Sequence, residues 1–393
     1  MSAADKTVCD VAVVGGGLVG SAVALGFAQQ GLDVHLLERG GPTPRVLDAG
    51  DDYDLRVYAL APACIALLQR LGVWDAIAAR RSSPYQRMQI WEDEPARALQ
   101  FDAADARAPT LGHIVESGLL AEVLWQALPA GVAHSGVQVA SVATDDDGAN
   151  LSLEDGRRLR TRLLVVAEGR DSRLRAQLGI EALSGQYEQT AVVCHVSSEL
   201  PHRQTAWQRF LASGPLALLP LADGRSSIVW SSSEAEALLA LDDEDFLRAL
   251  GSASQGVLGA FTASTRRVRF ALGLQHAETY VAPHAVLVGD AAHVVHPLAG
   301  QGVNLGFADA AALLDTVAAA REAGRDWSSP RVLKRYERAR RADVIDMLAV
   351  TDGLYRAFRV PLPGLAPLRS LGFAAVNAAA PLRRELVRRA IGA

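Results

Sequence analysis

Asp10-Val-Ala-Val-Val14-Gly15-Gly-Gly17-Leu-Val-Gly20 is the stretch that decides the fold. It joins a short apolar run, which reads as a buried strand, to glycines spaced G-x-G-x-x-G. A helical pattern over 21–30 follows, then a stop at Gly31 and a second apolar strand over 33–37 that ends in Glu38-Arg39. Each glycine has a separate physical task. Gly15 permits the tight turn, Gly17 lets a pyrophosphate approach bare backbone, and Gly20 lets the helix pack close to the strand. The helix N-terminus then faces the phosphates. Glu38 falls where an acid accepts hydrogen bonds from a ribose hydroxyl. The unit therefore predicts a βαβ dinucleotide-binding domain. The fingerprint accommodates NAD or FAD. Its N-terminal position and the wide spacing of later glycine–acid turns lean towards FAD, the longer cofactor. Arg39 reads either as a solvated charge or as a cover for the adenine.

Working outward, a second stretch has comparable information: Val286-Leu-Val-Gly289-Asp290-Ala-Ala-His293-Val-Val-His296-Pro297-Leu-Ala-Gly300-Gln301-Gly302-Val303-Asn304-Leu-Gly306. An apolar run over 285–288 predicts a buried parallel strand. A helix is expected from about Val303 into the alanine-rich 308–320. Asp290 then stands at the carboxyl end of a strand, where open α/β sheets bind ligands. Between these stretches, the strand over 163–167 ends in Glu168-Gly169-Arg170-Asp171-Ser172-Arg173, a charge density that reads as a ligand-proximal loop or as a solvated turn and helix cap. Arg56 precedes a helix expected over 62–71, with Pro62 in its first turn and Gly72 as its stop. Arg56 is compatible with a surface ion pair or with facing the cofactor. Another helix is expected over 117–127, with Ser117 as its N-cap.

The alternating stretches 187–198 and 208–230 predict a second, mostly antiparallel sheet. Its inward residues His195, Trp207, Phe210, Leu218 and Trp230 are candidates for a pocket lining, with core packing the more ordinary role for each. The expected division assigns 1–80, 110–185 and 270–350 to a discontinuous dinucleotide-binding domain. Residues 81–109 and 186–269 form a substrate domain, and 351–393 a helical tail. That tail carries seven arginines against Asp352 and Glu385, so it reads as a cationic amphipathic surface for an anionic membrane or a second subunit, or as a helical cap.

The totals remove other classes. A net charge of −5 without a basic block excludes a nucleic-acid footprint. Three scattered cysteines supply neither a disulfide framework nor a metal cluster, which points to a reducing compartment. No signal peptide and no uninterrupted apolar run of about 18 residues is apparent. Lys6 and Lys334 are the only lysines and neither lies in a cleft motif, which argues against lysine-assisted chemistry.

These motifs, in this order, resemble the class A flavin monooxygenases. Asp54-Leu-Arg56-Val-Tyr-Ala-Leu together with Gly289-Asp290-Ala-Ala-His293 through Asn304 resembles, more narrowly, the ubiquinone-biosynthesis hydroxylases. Glu168 replaces the Asp usual in the middle motif. The resemblance implies a p-hydroxybenzoate hydroxylase-like fold: a Rossmann-like FAD-binding domain with an inserted antiparallel substrate sheet. It implies FAD, NAD(P)H and O₂, and hydroxylation of a polyprenylated phenol or quinol through a C4a-hydroperoxyflavin. By position, Gly15, Gly17 and Gly20 would hold the pyrophosphate and Glu38 the adenosine ribose. Arg56 and the 170–173 loop would lie near the pyrophosphate and the nicotinamide route. Asp290 would take the ribityl chain, and the backbone of Pro297, Gly300, Gln301, Gly302, Val303 and Asn304 the isoalloxazine. His293, His296 and Pro297 are the candidates nearest the chemistry, with His293 or His296 as a proton carrier; no obligatory side-chain catalyst and no metal is expected. A cytoplasmic enzyme, peripheral on the inner face of the membrane and compatible with a homo-oligomer, is the expected setting. The alternatives are hydroxylation of another aromatic molecule, and a flavin-binding scaffold subunit.

Overall fold

The computed structural model describes residues 6–40, 53–295 and 301–359, together with 377, 379, 384 and 385. His296, Pro297 and Gly300 lie outside them, as does nearly all of 360–393.

Five strands of the first sheet run parallel in the order Ala285–Leu287, Arg158–Val166, Lys6–Val14, Val34–Glu38 and Ala133–Ser135. Val281–Ala282 and the hairpin Val139–Asp145/Gly148–Leu153 complete eight strands. Val11, Ala12, Val13, Leu163, Leu164, Val165, Val286 and Leu287 are all fully buried. A strand covered on both faces has no use for alternation, which is why these segments read as continuous apolar runs. Arg158–Val166 begins five residues before the strand expected over 163–167.

The helix Leu18–Gln29 returns across this sheet and meets the helix Gln301–Glu322. Glycines set their distance. A Cβ at Gly26 would lie 2.4 Å from Leu314 Cδ1, and one at Gly306 would lie 2.5 Å from Val19 Cγ2. Removing the side chain on one partner lets the other's branched chain fill the groove. Residues 302–322 are long and apolar enough to cross a bilayer, although no uninterrupted run is visible in the sequence. Yet 61% of the window is buried inside the protein, as expected of a core helix.

The second sheet has nine strands, beginning at the edge that meets the first: His293–Val294, Val268–Ala277, Ala182–Ser198, Ser226–Ser232, Gly214–Pro220, Thr205–Leu211, Arg87–Trp91 and Leu99–Asp102, with Phe261–Ser264 paired beside them. All its pairings are antiparallel except Thr205–Leu211 with Arg87–Trp91. Its rear face buries Val192, Cys194, Leu216, Leu218, Ile228 and Trp230 against Phe246 and Leu250 of the helix Asp243–Ser254. Asp242 caps that helix through the Asp245 amide at 2.8 Å. The front face looks towards the first sheet.

Ser117 is not the cap of its helix. It is the first residue inside Ser117–Gln126, and the cap position, Glu116, makes no side-chain cap bond. Asp54 reaches across from another segment and accepts from the Gly118 amide at 3.0 Å. A half-buried acid from another segment has displaced the local hydroxyl. The final helix, Pro330–Arg359, runs through residue 350 without interruption.

Candidate cofactor and active site

The glycine fingerprint forms a cradle of bare backbone. Gly15 has φ +108°, and a Cβ there would fall 2.3 Å from the Ala167 carbonyl oxygen. A Cβ at Gly20 would lie 1.9 Å from the Gly15 carbonyl oxygen. Gly17 differs from both. It caps Leu18–Gln29 without a side-chain bond, and nothing lies within 4 Å of where its Cβ would be. The first amides of the helix therefore open onto free space, an arrangement suited to a phosphate. Glu38 closes the cradle: its carboxylate accepts from Gly16 N at 2.5 Å and Gly40 N at 2.8 Å. Arg39, beside it, is exposed.

The other end of the cleft is built at Gly289–Ala291, a single 3₁₀ turn after Ala285–Leu287. Asp290 is solvent-accessible there but densely surrounded, as a group on the floor of a cleft must be. Burial pushes its carboxyl above the usual carboxylate range, against the opposing pull of His293, Arg56 and Arg170. Arg170 reaches this floor because position 273 is glycine; a Cβ there would sit 1.3 Å from its Nη2. Two side chains lace the loops together. Gln275 Nε2 donates to the carbonyls of Arg170 and Asp290 at 3.1 and 3.3 Å. Arg175 Nη1 donates to those of Arg170 and Ala291 at 3.0 and 3.1 Å.

Glu168 faces its own loop. It accepts from Ser172 Oγ at 2.7 Å and Leu174 N at 3.0 Å, fixing the start of Arg173–Gln177. Arg56 is exposed, with Cζ 5.5 Å from the Tyr58 ring.

Among the glycine-loop residues, Gln301 opens the long helix, Gly302 has open space around its missing Cβ, and Val303 is buried in the main core. Asn304 is also buried. Its Oδ1 accepts from Ala61 N at 2.9 Å and its Nδ2 donates to Ala59 O at 2.8 Å. The side chain thus splices the strand Val57–Leu60 to the helix Pro62–Arg70.

His293 lies behind the cleft. It is 2% exposed, and its Nε2 is 2.6 Å from Asp309 Oδ2. Asp309 is fully buried, and its other oxygen accepts from Arg340 Nε at 2.8 Å. Burial alone would raise the Asp309 carboxyl, but His293 and Arg340 more than offset it and hold it below the ordinary value. Sequence reading missed both partners. Asp309 is an acid set between alanines, Ala308 and Ala310, in an otherwise apolar turn of the helix, which is the available signal; Arg340 is hidden among charges that read as a solvated face.

On the face of the second sheet opposite its rear core, Ala191, Val193 and Leu272 form a cluster against which Leu55, Tyr187, Val229 and Val268 pack half-buried. Of the five pocket candidates, Leu218 and Trp230 belong to the rear core and Trp207 packs against it. Phe210 is buried, and His195 is fully buried with Nε2 3.1 Å from Asp54 O. Lys334 bonds Glu337 at 2.7 Å on the final helix. The three free cysteines are buried, and burial pushes each thiol up to about 12.

An open helix N-terminus at one end and, at the other, an acid with two arginines beside it fit an extended dinucleotide. Comparison with known proteins agrees. The family described as FAD binding domain matches residues 8–351. The chain is 39% identical over 399 residues to the 3-demethoxyubiquinol 3-hydroxylase of Escherichia coli (strain K12), covering 98% of each. It is 39% identical to the ubiquinone hydroxylase UbiL of Rhodospirillum rubrum, over 99% of this chain and 90% of that one. With the human mitochondrial ubiquinone biosynthesis monooxygenase COQ6 it shares 35%, over 98% and 93%. Among solved structures, the p-nitrophenol 4-monooxygenase PnpA from Pseudomonas putida superposes with a TM-score of 0.77 at 18% identity, covering 98% of each chain. PqsL of P. aeruginosa gives 0.76 at 21%, covering 95% and 100%. Those two establish the fold, and the closer sequences carry the rest: the chain belongs to the FAD binding domain family and is an FAD-dependent monooxygenase.

Proposed function

We propose that this monooxygenase hydroxylates the aromatic ring of a polyprenylated phenol or quinol in ubiquinone biosynthesis, with NAD(P)H as electron donor. The observation that carries the reading is the near-full-length identity to three ubiquinone hydroxylases. The apolar cluster of Ala191, Val193 and Leu272 on the second sheet, with half-buried Leu55, Tyr187, Val229 and Val268, supports a lipophilic substrate. Bound FAD supplies the chemistry, activating O₂ for transfer of one oxygen atom to an electron-rich ring.

The chain's own residues bind, orient and shield. Gly15, Gly17 and Gly20 present backbone to the pyrophosphate, Glu38 takes the adenosine ribose and Arg39 lies beside the adenine. Asp290 accepts hydrogen bonds from the ribityl hydroxyls, with Arg56 and Arg170 balancing the charge. The helix start at Gln301, Gly302, Val303 and Asn304 supports the flavin edge through backbone. His293 acts by holding the loop, since its Nε2 is occupied by Asp309. The apolar front of the second sheet excludes water from the reacting ring.

The arginine-rich 351–393 segment would bring the enzyme to the inner membrane surface, where such substrates partition. Flotation with anionic vesicles checks this: truncation after 350 should abolish floating, and equal floating would remove the tail from the account. The substrate is tested by profiling quinone intermediates in cells lacking the protein. One prenylated precursor lacking one ring hydroxyl should accumulate. An unchanged profile, with purified protein still consuming NAD(P)H on another aromatic, would overturn the assignment.

A further inference from the structure

Asp309 uses both carboxylate oxygens, and each is attached to something that matters for Asp290. Oδ2 accepts from the Gly289 amide at 2.9 Å and pairs with His293 Nε2 at 2.6 Å. These residues flank Asp290 on either side, so one buried acid fixes the turn that displays another. Oδ1 accepts from Arg340 Nε at 2.8 Å, and Arg340 Nη1 also bonds Asp343 at 2.6 Å. One turn earlier on the same helix, Tyr336 donates to the Leu287 carbonyl at 2.7 Å, where the strand ends before the turn. The final helix thus grips segment 287–293 from the side opposite the cleft. Gly289 has φ +59°, a conformation that tertiary contacts must maintain.

The geometry points to Arg340 and Asp309 as positioning residues for the flavin site: touching no cofactor, they set the direction of the Asp290 carboxylate and with it the affinity for FAD. This rests on the reading that the FAD ribityl chain lies at Asp290. A buried acid whose cationic partner is removed reorients or takes a proton, and either change frees Gly289 and His293. The helix anchors are therefore divisible. Arg340 holds the helix and the turn. Glu337 holds only the helix, bonding Thr279, Lys334 and the Tyr280 amide at the neighbouring strand.

The experiment is FAD titration of full-length apoprotein by flavin fluorescence, with the apoprotein Tm recorded for each variant. Arg340→Met should raise the FAD Kd by about tenfold. Asp309→Asn should act alike, and Arg340→Lys should fall between wild type and Arg340→Met. Glu337→Gln should lower the Tm but leave the Kd within about twofold of wild type. Should Arg340→Met fail to fold, Arg340→Lys against Glu337→Gln decides the same point. A wild-type Kd in the Arg340 variants overturns the proposal. So does a Kd that follows Tm alike in the Arg340 and Glu337 variants, since that is a general stability effect. Failure of wild-type protein to bind FAD would instead refute the flavin-site reading itself.

Discussion

At Gly20 the space for a side chain is already taken by the Gly15 carbonyl oxygen, 1.9 Å from where a Cβ would stand. Backbone cannot swing aside as a long side chain can, so Gly20→Ala should cost about 1–3 kcal/mol of apoprotein stability, read from the urea midpoint. Gly17 has open space, so Gly17→Ala should fold normally and lose FAD instead; a normal Kd there would contradict the phosphate reading. Asp290 separates folding from binding in the opposite sense. Its carboxyl is raised by burial, so its charge at neutral pH opposes folding. Asp290→Asn should leave the apoprotein Tm equal or higher while weakening FAD at least tenfold, the scale of a lost charge-assisted hydrogen bond. A lowered Tm with unchanged affinity would mean that the acid serves the fold.

Among elements, those set by local pattern were readable and those set by distant partners were not. The fingerprint strand, its helix and the strand before Gly289 announce themselves through apolar runs and glycine spacing. Ala182–Ser198 is longer than the expected 187–198 because its first residues, Leu183, Ser184 and Gly185, alternate poorly. They are recruited by pairing with His276, Gln275 and Leu274, and the register shifts before Thr190. The Asp309–Arg340 pair joins two helices and has no local signature. The outer strand Leu99–Asp102 shows another long-range device. Asn377 donates through Nδ2 to Ala98 O at 2.8 Å and accepts from Gln100 N at 3.0 Å, mimicking one rung of a ladder on an edge that would otherwise invite pairing. Asn377→Ala should lower stability by about 1 kcal/mol. A larger tendency to self-associate on light scattering should accompany it, and no change in either would dismiss the edge-guarding role.

For the whole molecule, pH dependence follows from the histidines. His113, His134, His202 and His276 all have lowered pKa values, chiefly through burial. The unfolded chain binds protons near a pKa of about 6.5, while the folded chain resists them. Stability should therefore fall as pH drops through that value towards the folded pKa values. His134 is the clearest case. Its ring stacks on His35 at 4.8 Å and 6°, and after burial it is His35 and Arg157 that oppose a charge on His134. Unfolding in urea at pH 7.5 and 5.5 should show a smaller loss for His134→Gln than for wild type; equal losses would place the effect elsewhere.

The pairing of Leu164 with Ala285 has a consequence during synthesis. These neighbours in the first sheet are separated in the chain by six of the nine strands of the second. A nascent chain therefore emerges from the ribosome with the Arg158–Val166 strand complete and the Leu164–Val166 end of its outer edge bare. That edge stays open until the inserted strands have been made, and parallel pairing across such a span is slow. Asp290 arrives later still. Most of the second sheet is therefore made before the sheet that carries the glycine fingerprint can close, so folding of the two is coupled in that order.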